Sequence, residues 1–377
     1  MMERSPLKVA IDVLSLAGPR TGVGVSCEEL LRSLVGRSDI EVTAFAIARR
    51  AGRLGALLPE GTRFRHLGLP TRIAHRAWMS FGTPSAELVV GRVSVVHGTN
   101  FVVPPPRRAA AVITVNDVTP WRYPELCAPA SLGYPVLVRR AVVRGAFVHT
   151  ASHYVADELR EIVAVPAARV RVIPYGLPPR SRHLGQATAP ALSALDGPFV
   201  LAVSTIEPRK DYPTLVRAFA EMAGSHPGLR LVLAGAEGRG SPALDAAIAR
   251  SRLGGRVVRL GYVDDSVRAS LLARASALAY PSLYEGFGFP PLEAMAAGVP
   301  VVACAGGAVP EIVGDGALVV PVGDVAALAG ALEAVLSDEG LRVGLRSRGL
   351  AQAARYSWTS TAEAMVGLYF DAADSLR

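Results

Sequence analysis

The chain has 377 residues with a formal net charge of +8, and half of the residues are hydrophobic. This length predicts two domains, and the hydrophobic content is sufficient for two cores. No apolar run reaches the roughly 20 residues that a membrane helix needs, and residues 1–16 lack the features of a secretory signal, so we expect a cytoplasmic protein.

Short apolar runs, typical of buried strands, recur along the first half of the chain. Helix-length segments such as Gly24–Val35 and Pro135–Val143 separate several of them. Strands that are apolar throughout and joined by helices predict a parallel sheet covered on both faces. The predicted strands are Val9–Asp12, Val42–Ile47, Val93–His97, Ala109–Asp117, Phe147–Ser152 and Val170–Tyr175.

The same alternation begins again at Phe199, after a proline-rich stretch without periodicity. The predicted strands of this half are Phe199–Ser204, Leu229–Ala234, Val257–Gly261, Ala275–Tyr280, Val299–Cys304 and Leu318–Val322. Its predicted helices include Tyr212–Ala223, Ser266–Ala273 and Pro291–Ala297. A second complete series predicts a second parallel sheet of the same kind.

The two series predict two doubly wound α/β domains. We place them at residues 1–177 and 199–356, joined by a linker at 178–198 and followed by a terminal helix at 357–377. Ligands bind at the carboxyl ends of strands in open parallel sheets. We therefore expect functional residues in the loops that follow strands, on the walls of a cleft between the domains.

The segment Tyr280–Pro300 contains the most specific motif. A predicted strand ends at Tyr280, a loop with Gly286 and Gly288 follows, and Pro290 opens a helix. Exposed backbone N–H groups at such a helix start, together with the helix dipole, favour an anion. The glycines allow a ligand to approach the backbone closely.

Two carboxylates, Glu285 and Glu293, lie eight positions apart in this segment. Carboxylates suit a hydroxyl-rich ligand because they accept paired hydrogen bonds from neighbouring hydroxyls. As alternatives, Glu293 stabilises the helix dipole, or the two residues form the acid/base pair of a glycoside hydrolase. The anion-binding loop favours a role in holding a phosphorylated sugar.

Arg209 and Lys210 lie in a loop after the first strand of the second half. Fixed cations there would stabilise the negative charge that develops on a diphosphate leaving group, in place of a metal. Lys210 is conspicuous because the chain has only one other lysine, Lys8. The alternative is an ordinary basic loop. The three cysteines are widely separated, and no Asp-x-Asp site suits Mg²⁺, so we expect no metal and no cofactor.

Polar residues also follow strands in the first half. Asn116 and Asp117 end one predicted strand, although Asp117 is equally suited to capping the next turn. His97 ends another strand and is a secondary candidate. For His149 and His153 we expect a structural role.

The positive charge is concentrated in the first half of the chain. Residues 1–180 contain 23 basic and 13 acidic residues, whereas residues 181–377 contain 17 and 19. The basic side chains include Arg49–Arg50, Arg107–Arg108, Arg139–Arg140 and Arg144. Two interpretations stay open: a solvated arginine-rich surface, or a face for an anionic partner such as a phospholipid membrane or a phosphorylated acceptor. No nucleic-acid-binding motif is present, and we expect no nucleic-acid partner.

Three motifs together resemble the retaining GT-B glycosyltransferases of the family 4 type, group 1, which include many bacterial mannosyltransferases. They are Glu285–Glu293, Glu207–Lys210 and the turn Gly22–Gly24. Further pieces occur in the same order, at Leu260–Val263, Pro310–Val313 and Tyr356–Trp358. The resemblance implies two Rossmann-like domains facing an inter-domain cleft, with the terminal helix crossing back to the first domain.

The resemblance also implies the roles of individual residues. Glu293 would bind the ribose, Glu285 the transferred sugar, and Arg209 with Lys210 the diphosphate. The implied donor-binding set is Gly22, Val23, Gly24, Ser204, Tyr262, Val263, Gly286, Phe287, Gly288, Phe289 and Glu293. The implied catalytic set is Asn116, Asp117, Arg209, Lys210 and Glu285.

The implied activity is transfer of a hexose from a nucleotide sugar, with GDP-mannose as the first expectation, to a hydroxyl group. The acceptor is a glycan, a lipid-linked sugar or a small molecule, and transfer retains the anomeric configuration without a metal. A peripheral contact with the inner face of an anionic membrane is compatible with the basic first half.

Two positions depart from the family pattern. Asn116 stands where the family usually has histidine, and Tyr175 stands where asparagine commonly precedes Gly176. An amide does not titrate near neutral pH, so Asn116 cannot act as an acid or base. Asn116 therefore motivates one alternative, a catalytically idle nucleotide-sugar-binding protein. The other alternative is a different enzyme on the same fold, either a pseudo-glycosyltransferase or a sugar-nucleotide epimerase.

Overall fold

The computed structural model describes residues 5–18, 21–177 and 195–376, and the chain divides into two compact units. The first domain comprises residues 1–176 and 357–377, and the second domain comprises residues 177–356. Most of the predicted linker, residues 178–194, lies outside the described residues.

The first domain is built on one parallel sheet, which has seven strands within the described residues. They are β1 (Leu7–Asp12), β2 (Ile40–Ile47), β3 (Arg63–Leu67), β4 (Val95–Gly98), β5 (Ala110–Thr114), β6 (Phe147–Thr150) and β7 (Val170–Val172). Their order is β3-β2-β1-β4-β5-β6-β7. The order reverses between β1 and β4, so the loops after these two strands lie at the topological switch point.

The helices of the first domain connect these strands. Those described before the second domain are α1 (Gly22–Leu34), α2 (Thr71–Ser80), α3 (Glu87–Val90), α4 (Thr119–Arg122), α5 (Tyr134–Val143) and α6 (His153–Val163). Ser152 caps α6, because its hydroxyl accepts a hydrogen bond from the N–H of Val155 at 3.3 Å.

The second domain repeats the same topology. Its described strands are β8 (Phe199–Val203), β9 (Arg230–Ala234), β10 (Val257–Gly261), β11 (Ala277–Tyr280), β12 (Val301–Cys304) and β13 (Ala317–Val320). All neighbouring pairs are parallel, in the order β10-β9-β8-β11-β12-β13. The switch point lies between β8 and β11. The predicted pair of doubly wound parallel sheets is confirmed.

The helices of the second half are α7 (Tyr212–Met222), α8 (Ser241–Ser251), α9 (Asp265–Arg274), α10 (Phe289–Ala296), α11 (Val309–Val313), α12 (Val325–Ser337), α13 (Glu339–Ala353) and α14 (Trp358–Asp374). The last of these, α14, is part of the first domain. Asp264 caps α9, because its carboxylate accepts a hydrogen bond from the N–H of Val267 at 2.9 Å.

Burial on both faces of the sheet makes a strand predictable from the sequence. Val200, Leu201 and Ala202 of β8 are all buried, because helices cover both faces of the sheet. Such strands appear as continuous apolar runs. The predicted strand Ala109–Asp117 is too long at its end, since β5 stops at Thr114 and the chain then leaves the sheet.

Strand β3 is missed by the sequence pattern. Its residues Arg63–Leu67 are mostly exposed, because β3 is an edge strand that, among the described strands, pairs only with β2. Backbone hydrogen bonds define this strand, and they leave no hydrophobic pattern in the sequence.

Candidate active site

The candidate site lies at the switch point of the second sheet, in the loops after β8 and β11. The N–H of Leu283, in the second loop, donates a hydrogen bond to the carbonyl of Arg209, in the first, at 2.8 Å. Parallel neighbouring strands end at the same edge of a sheet, which is why these distant segments meet.

Three of the predicted catalytic side chains form one ion cluster. Lys210 Nζ lies 2.5 Å from Glu285 Oε1, and Arg209 Nη1 pairs with Glu285 Oε2. Arg209 Nη1 also donates to the carbonyl of Tyr284 at 2.7 Å, and Lys210 Nζ lies 5.3 Å from the centre of the Tyr280 ring. We call Arg209, Lys210 and Glu285 the charged triad.

The triad keeps Glu285 ionised. Burial by itself raises the pKa of this carboxyl, but the adjacent Arg209 and Lys210 charges outweigh burial and lower the pKa to about 2. At neutral pH the carboxylate is therefore a hydrogen-bond acceptor and not a proton donor. The acid of a glycoside hydrolase requires a raised pKa, and the two cations shift the pKa of Glu285 in the opposite direction.

A glycine pair after β12 positions Glu285. The N–H of Glu285 donates to the carbonyl of Gly306 at 3.2 Å, and the N–H of Ala308 donates to the carbonyl of Glu285 at 2.8 Å. Gly307 has a φ of +65°, and a Cβ there would lie 2.3 Å from the Glu285 carbonyl. Only glycine fits this position. The motifs identified in the sequence do not include this pair, whose signal is two adjacent glycines one residue after the end of β12.

The glycine loop after β11 leads into α10 as predicted. Gly288 precedes the helix with a φ of +138°, and prolines occupy its first turn. Glu293 lies in the following turn, where Arg268 Nη1 of α9 is 3.4 Å from its Oε1. Arg268 is a site residue that sequence reasoning missed, because only tertiary packing brings α9 to α10.

Two aromatic side chains border the glycine loop. The rings of Phe287 and Phe289 lie edge to face, with 5.2 Å between their centres, and Phe287 is buried. Phe287 also contacts the ring of Tyr356 at 5.8 Å. Gly286, between Glu285 and Phe287, is buried as well.

The remaining predicted residues of the second domain follow neighbouring strands. The Ser204 hydroxyl after β8 is hydrogen-bonded to the Tyr212 hydroxyl at 2.8 Å. Gly235 after β9 lies so close to Ser204 that a Cβ would be 1.8 Å from the Ser204 carbonyl. Tyr262 and Val263 follow β10, and Tyr262 is 58% exposed. These residues therefore share the carboxyl edge with the charged triad.

In the first domain, the turn Gly22–Gly24 begins α1. Gly22 is exposed, Val23 is half-buried, and Gly24 is buried against the carbonyl of Ser15. Residues 19 and 20 of the same loop lie outside the described residues.

The two atypical residues, Asn116 and Tyr175, are hydrogen-bonded to each other. The Tyr175 hydroxyl donates to Asn116 Oδ1 at 2.7 Å, and Asn116 Nδ2 donates to Asn100 Oδ1 at 3.0 Å. The amide plane of Asn116 is thus held from both ends. Asp117 adopts the alternative role considered for it, because its carboxylate accepts a hydrogen bond from the N–H of Thr119 at 2.9 Å.

Buried histidines form a neutral network beside these residues. His149 Nε2 contacts the Ile173 carbonyl at 2.9 Å, so Nε2 carries the proton and Nδ1 accepts from the Thr114 hydroxyl at 2.8 Å. Thr114 Oγ1 then accepts from His97 Nε2, and His97 Nδ1 accepts from the Tyr369 hydroxyl, both at 2.8 Å. Burial lowers the pKa of His149 to about 4 and that of His97 well below its usual value. The structural role predicted for His149 is confirmed, whereas His153 is an exposed residue at the start of α6.

A carboxyl that sequence reasoning missed lies at the switch point of the first sheet. Asp12 ends β1, and its Oδ1 accepts a hydrogen bond from the N–H of Leu14 at 2.9 Å. Burial raises the pKa of Asp12 to about 7, although the Leu14 hydrogen bond opposes that rise. The sequence indicates this carboxyl by its position at the carboxyl end of an apolar strand.

Within residues 5–18, 21–177 and 195–376, no group of three or more His, Cys, Asp or Glu side chains is arranged to hold a metal ion. In the same ranges, every helix is too short or too polar to cross a membrane.

Comparison with known proteins decides the family. The sequence profile described as "Glycosyl transferases group 1" matches residues 188–352, and the one described as "Glycosyl transferase 4-like domain" matches residues 21–176. The O-antigen chain mannosyltransferase B of Escherichia coli is 31% identical over 284 residues, which cover 73% of this chain and 74% of that protein. The chain belongs to the group 1 glycosyltransferases.

Other relatives agree with this family. The D-inositol 3-phosphate glycosyltransferase of Actinosynnema mirum is 35% identical over 237 residues, covering 59% of this chain and 56% of that protein. Sucrose-phosphate synthase from Thermosynechococcus elongatus superposes with a TM-score of 0.75 at 21% identity, over 97% of this chain and 98% of the other. Anabaena Alr3699/HepE in complex with UDP-glucose gives 0.72 at 18% identity, over 97% and 99%. The predicted GT-B fold of this group 1 glycosyltransferase is confirmed.

Proposed function

We propose that this glycosyltransferase moves a hexose from a nucleoside diphosphate sugar to an acceptor hydroxyl with retention of anomeric configuration. The observation that carries the proposal is the charged triad, whose Glu285 lies directly before the glycine loop and the start of α10. A carboxylate, cations and the backbone N–H groups of a helix start are the groups that suit a sugar diphosphate.

The charge balance of the triad supports this role. Two cations face one carboxylate, so the cluster retains one net positive charge in the absence of donor. As the bond between the sugar and the diphosphate breaks, negative charge grows on the leaving phosphate. Arg209 and Lys210 stabilise that charge, and Glu285 accepts hydrogen bonds from sugar hydroxyls.

Retention in the proposed reaction needs no protein base. The acceptor oxygen attacks the anomeric carbon on the face that the diphosphate leaves, and the leaving phosphate takes the proton of the acceptor hydroxyl. Asn116 suits this scheme, because an amide that does not titrate is sufficient where the proton goes to the phosphate. No metal is required for charge stabilisation if the two cations supply it.

We propose GDP-mannose as the donor, since the Escherichia coli relative is described as a mannosyltransferase. The acceptor class is a hydroxyl of a glycan, a lipid-linked sugar or a small molecule. The donor, the acceptor and the stereochemistry are separate parts of the proposal and are tested separately.

A thermal-shift series with GDP-mannose, GDP and UDP-glucose tests donor binding. We expect GDP-mannose to raise the melting temperature most, in the presence of EDTA. If no nucleoside diphosphate sugar raises the melting temperature, the proposal is overturned. NMR of the transfer product then tests stereochemistry, and an inverted anomeric centre would exclude retention.

Substitution of Glu293 tests the proposed ribose contact. A carboxylate hydrogen bond contributes about 1.5 to 3 kcal/mol, so Glu293→Gln is expected to weaken donor binding about tenfold in calorimetry. The matched control is Glu339→Gln, at an exposed position in the first turn of another helix. Equal donor affinity in the two variants would contradict the contact.

A further inference from the structure

The first domain contains a cavity of about 230 Å³ at the amino-terminal edge of its sheet. Its wall includes Ala110 at the start of β5, Gly145 just before β6 and Arg169 just before β7. The loops predicted to carry functional residues follow the opposite, carboxyl ends of the strands. This cavity is therefore separate from the site described above.

Arginine dominates the wall of this cavity. Among the described residues, the wall contains no aspartate or glutamate, and five arginines contribute to it: Arg107, Arg108, Arg140, Arg144 and Arg169. None of the five guanidinium groups forms an ion pair with a carboxylate within the described parts of the chain. We call these five residues the arginine pocket.

Backbone contacts hold part of the pocket in place. Arg169 donates to the carbonyl of Gly145 and lies 5.5 Å from the centre of the Phe147 ring. Arg140 Nη1 donates to the carbonyl of Ser80 at 3.5 Å. These two arginines are half-buried, so their charges are fixed before any ligand binds.

One carboxylate lies behind the pocket. Glu87 Oε1 accepts hydrogen bonds from the backbone N–H groups of Arg107 and Arg108, at 2.7 and 2.9 Å. Glu87 thus holds the loop through backbone N–H groups and not through either guanidinium group. The side chains of Arg107, Arg108 and Arg144 are exposed.

Exposed apolar side chains surround the pocket. Phe81 is 83% exposed, and it adjoins Gly82, where a Cβ would lie 2.3 Å from Arg144 Nη2. Val143, directly before Arg144, is 81% exposed, and Leu376 in the wall is 58% exposed. A soluble anion needs no apolar surface, whereas a lipid interface offers both phosphate and hydrocarbon.

We propose that the arginine pocket binds the phosphate groups of anionic phospholipids, and that Phe81, Val143 and Leu376 enter the same interface. The planar guanidinium group pairs with phosphate through two parallel hydrogen bonds, which favours arginine at such a site. The first domain thereby docks peripherally on a membrane. This proposal does not depend on the proposed donor or stereochemistry.

Cosedimentation with vesicles tests the proposal. The probes are phosphatidylcholine vesicles with and without about 30% phosphatidylglycerol, an anionic phospholipid. We expect binding only to the anionic vesicles. The double variant Arg108→Gln with Arg144→Gln is expected to bind about thirtyfold more weakly, at about 1 kcal/mol for each charge removed.

The matched control is Arg49→Gln with Arg50→Gln, which removes the same charge from exposed positions outside the pocket. We expect this control variant to lose far less affinity for anionic vesicles than the pocket variant does. Equal loss in both variants would overturn the pocket, because net charge alone would then explain binding. Circular dichroism verifies that each variant is folded.

A second substitution tests the apolar part without changing charge. Phe81→Ser is expected to weaken binding to anionic vesicles about tenfold, whereas Leu57→Ser, at another exposed apolar position of the same domain, leaves it unchanged. Absence of vesicle binding by the wild-type protein, with calorimetric binding of inorganic phosphate, would overturn the membrane assignment.

Discussion

The carboxyl edges of the two sheets are built from different interactions. In the second domain, Glu285 is bound by Arg209 and Lys210, so this edge is organised by full charges. In the first domain, His97 and His149 are neutral and are joined by the Thr114 hydroxyl, so this edge is organised by neutral hydrogen bonds. The topology is the same in both domains, yet the side chains after the strands create opposite environments.

The charge at each carboxyl edge differs from the net charge of the half of the chain that forms it. The basic surplus lies in residues 1–180, but in the structure five arginines of that half gather at the opposite edge of the sheet, in the arginine pocket. The second half is slightly acidic and still presents two cations at its candidate site. The net charge of each half therefore indicates which half attracts anions, but it does not indicate where the candidate active site lies.

The largest expected effect concerns the charged edge. Lys210→Met removes one of the two cations next to the leaving diphosphate, and we expect kcat to fall about 10²- to 10³-fold. The matched control is Lys8→Met, since Lys8 is the chain's other lysine and is exposed on β1. Steady-state kinetics with saturating donor measures both. Similar rates for Lys210→Met and wild type would place catalysis outside the triad.

A smaller effect is expected from protonation of the neutral edge. Burial lowers the pKa of His149 to about 4, so between pH 6.5 and pH 4 the unfolded chain binds a proton that the folded chain does not. Stability is therefore complete above pH 6.5 and falls as the pH drops, by at most about 2 kcal/mol for this histidine at pH 5. Denaturant unfolding at several pH values measures the slope.

The control for this pH dependence is another histidine. His149→Gln is expected to reduce the slope by one proton, while His66→Gln, at an exposed position, leaves it nearly unchanged. An unchanged slope in His149→Gln would show that this buried histidine is already protonated in the folded protein.

The smallest expected effect concerns the hydrogen bond between the two atypical residues. Tyr175→Phe removes the hydroxyl that donates to Asn116 Oδ1, which costs about 1 kcal/mol of stability. We expect transfer to slow severalfold with donor affinity unchanged, because the amide of Asn116 loses one of its two anchors. Tyr154→Phe, a partly exposed tyrosine of the same domain, is the control. If Tyr175→Phe weakened donor affinity, the role of this hydrogen bond would not be confined to the first domain.

The sequence alone predicts both parallel sheets, because strands buried on both faces leave continuous apolar runs such as Phe199–Ser204. It also predicts the loops that carry Glu285, Arg209 and Lys210, because glycines and prolines mark the strand–loop–helix turns. It does not predict β3, whose pairing depends on backbone hydrogen bonds that any side chain permits.

Tertiary structure alone decides the pairings between distant residues. Glu285 meets Lys210 across 75 positions, and Tyr175 meets Asn116 across 59, because strand order brings their loops to a common edge. The same packing lowers the pKa of Glu285 and raises that of Asp12. A linear motif names the groups that carry charge, whereas burial and neighbours determine which of them stay ionised.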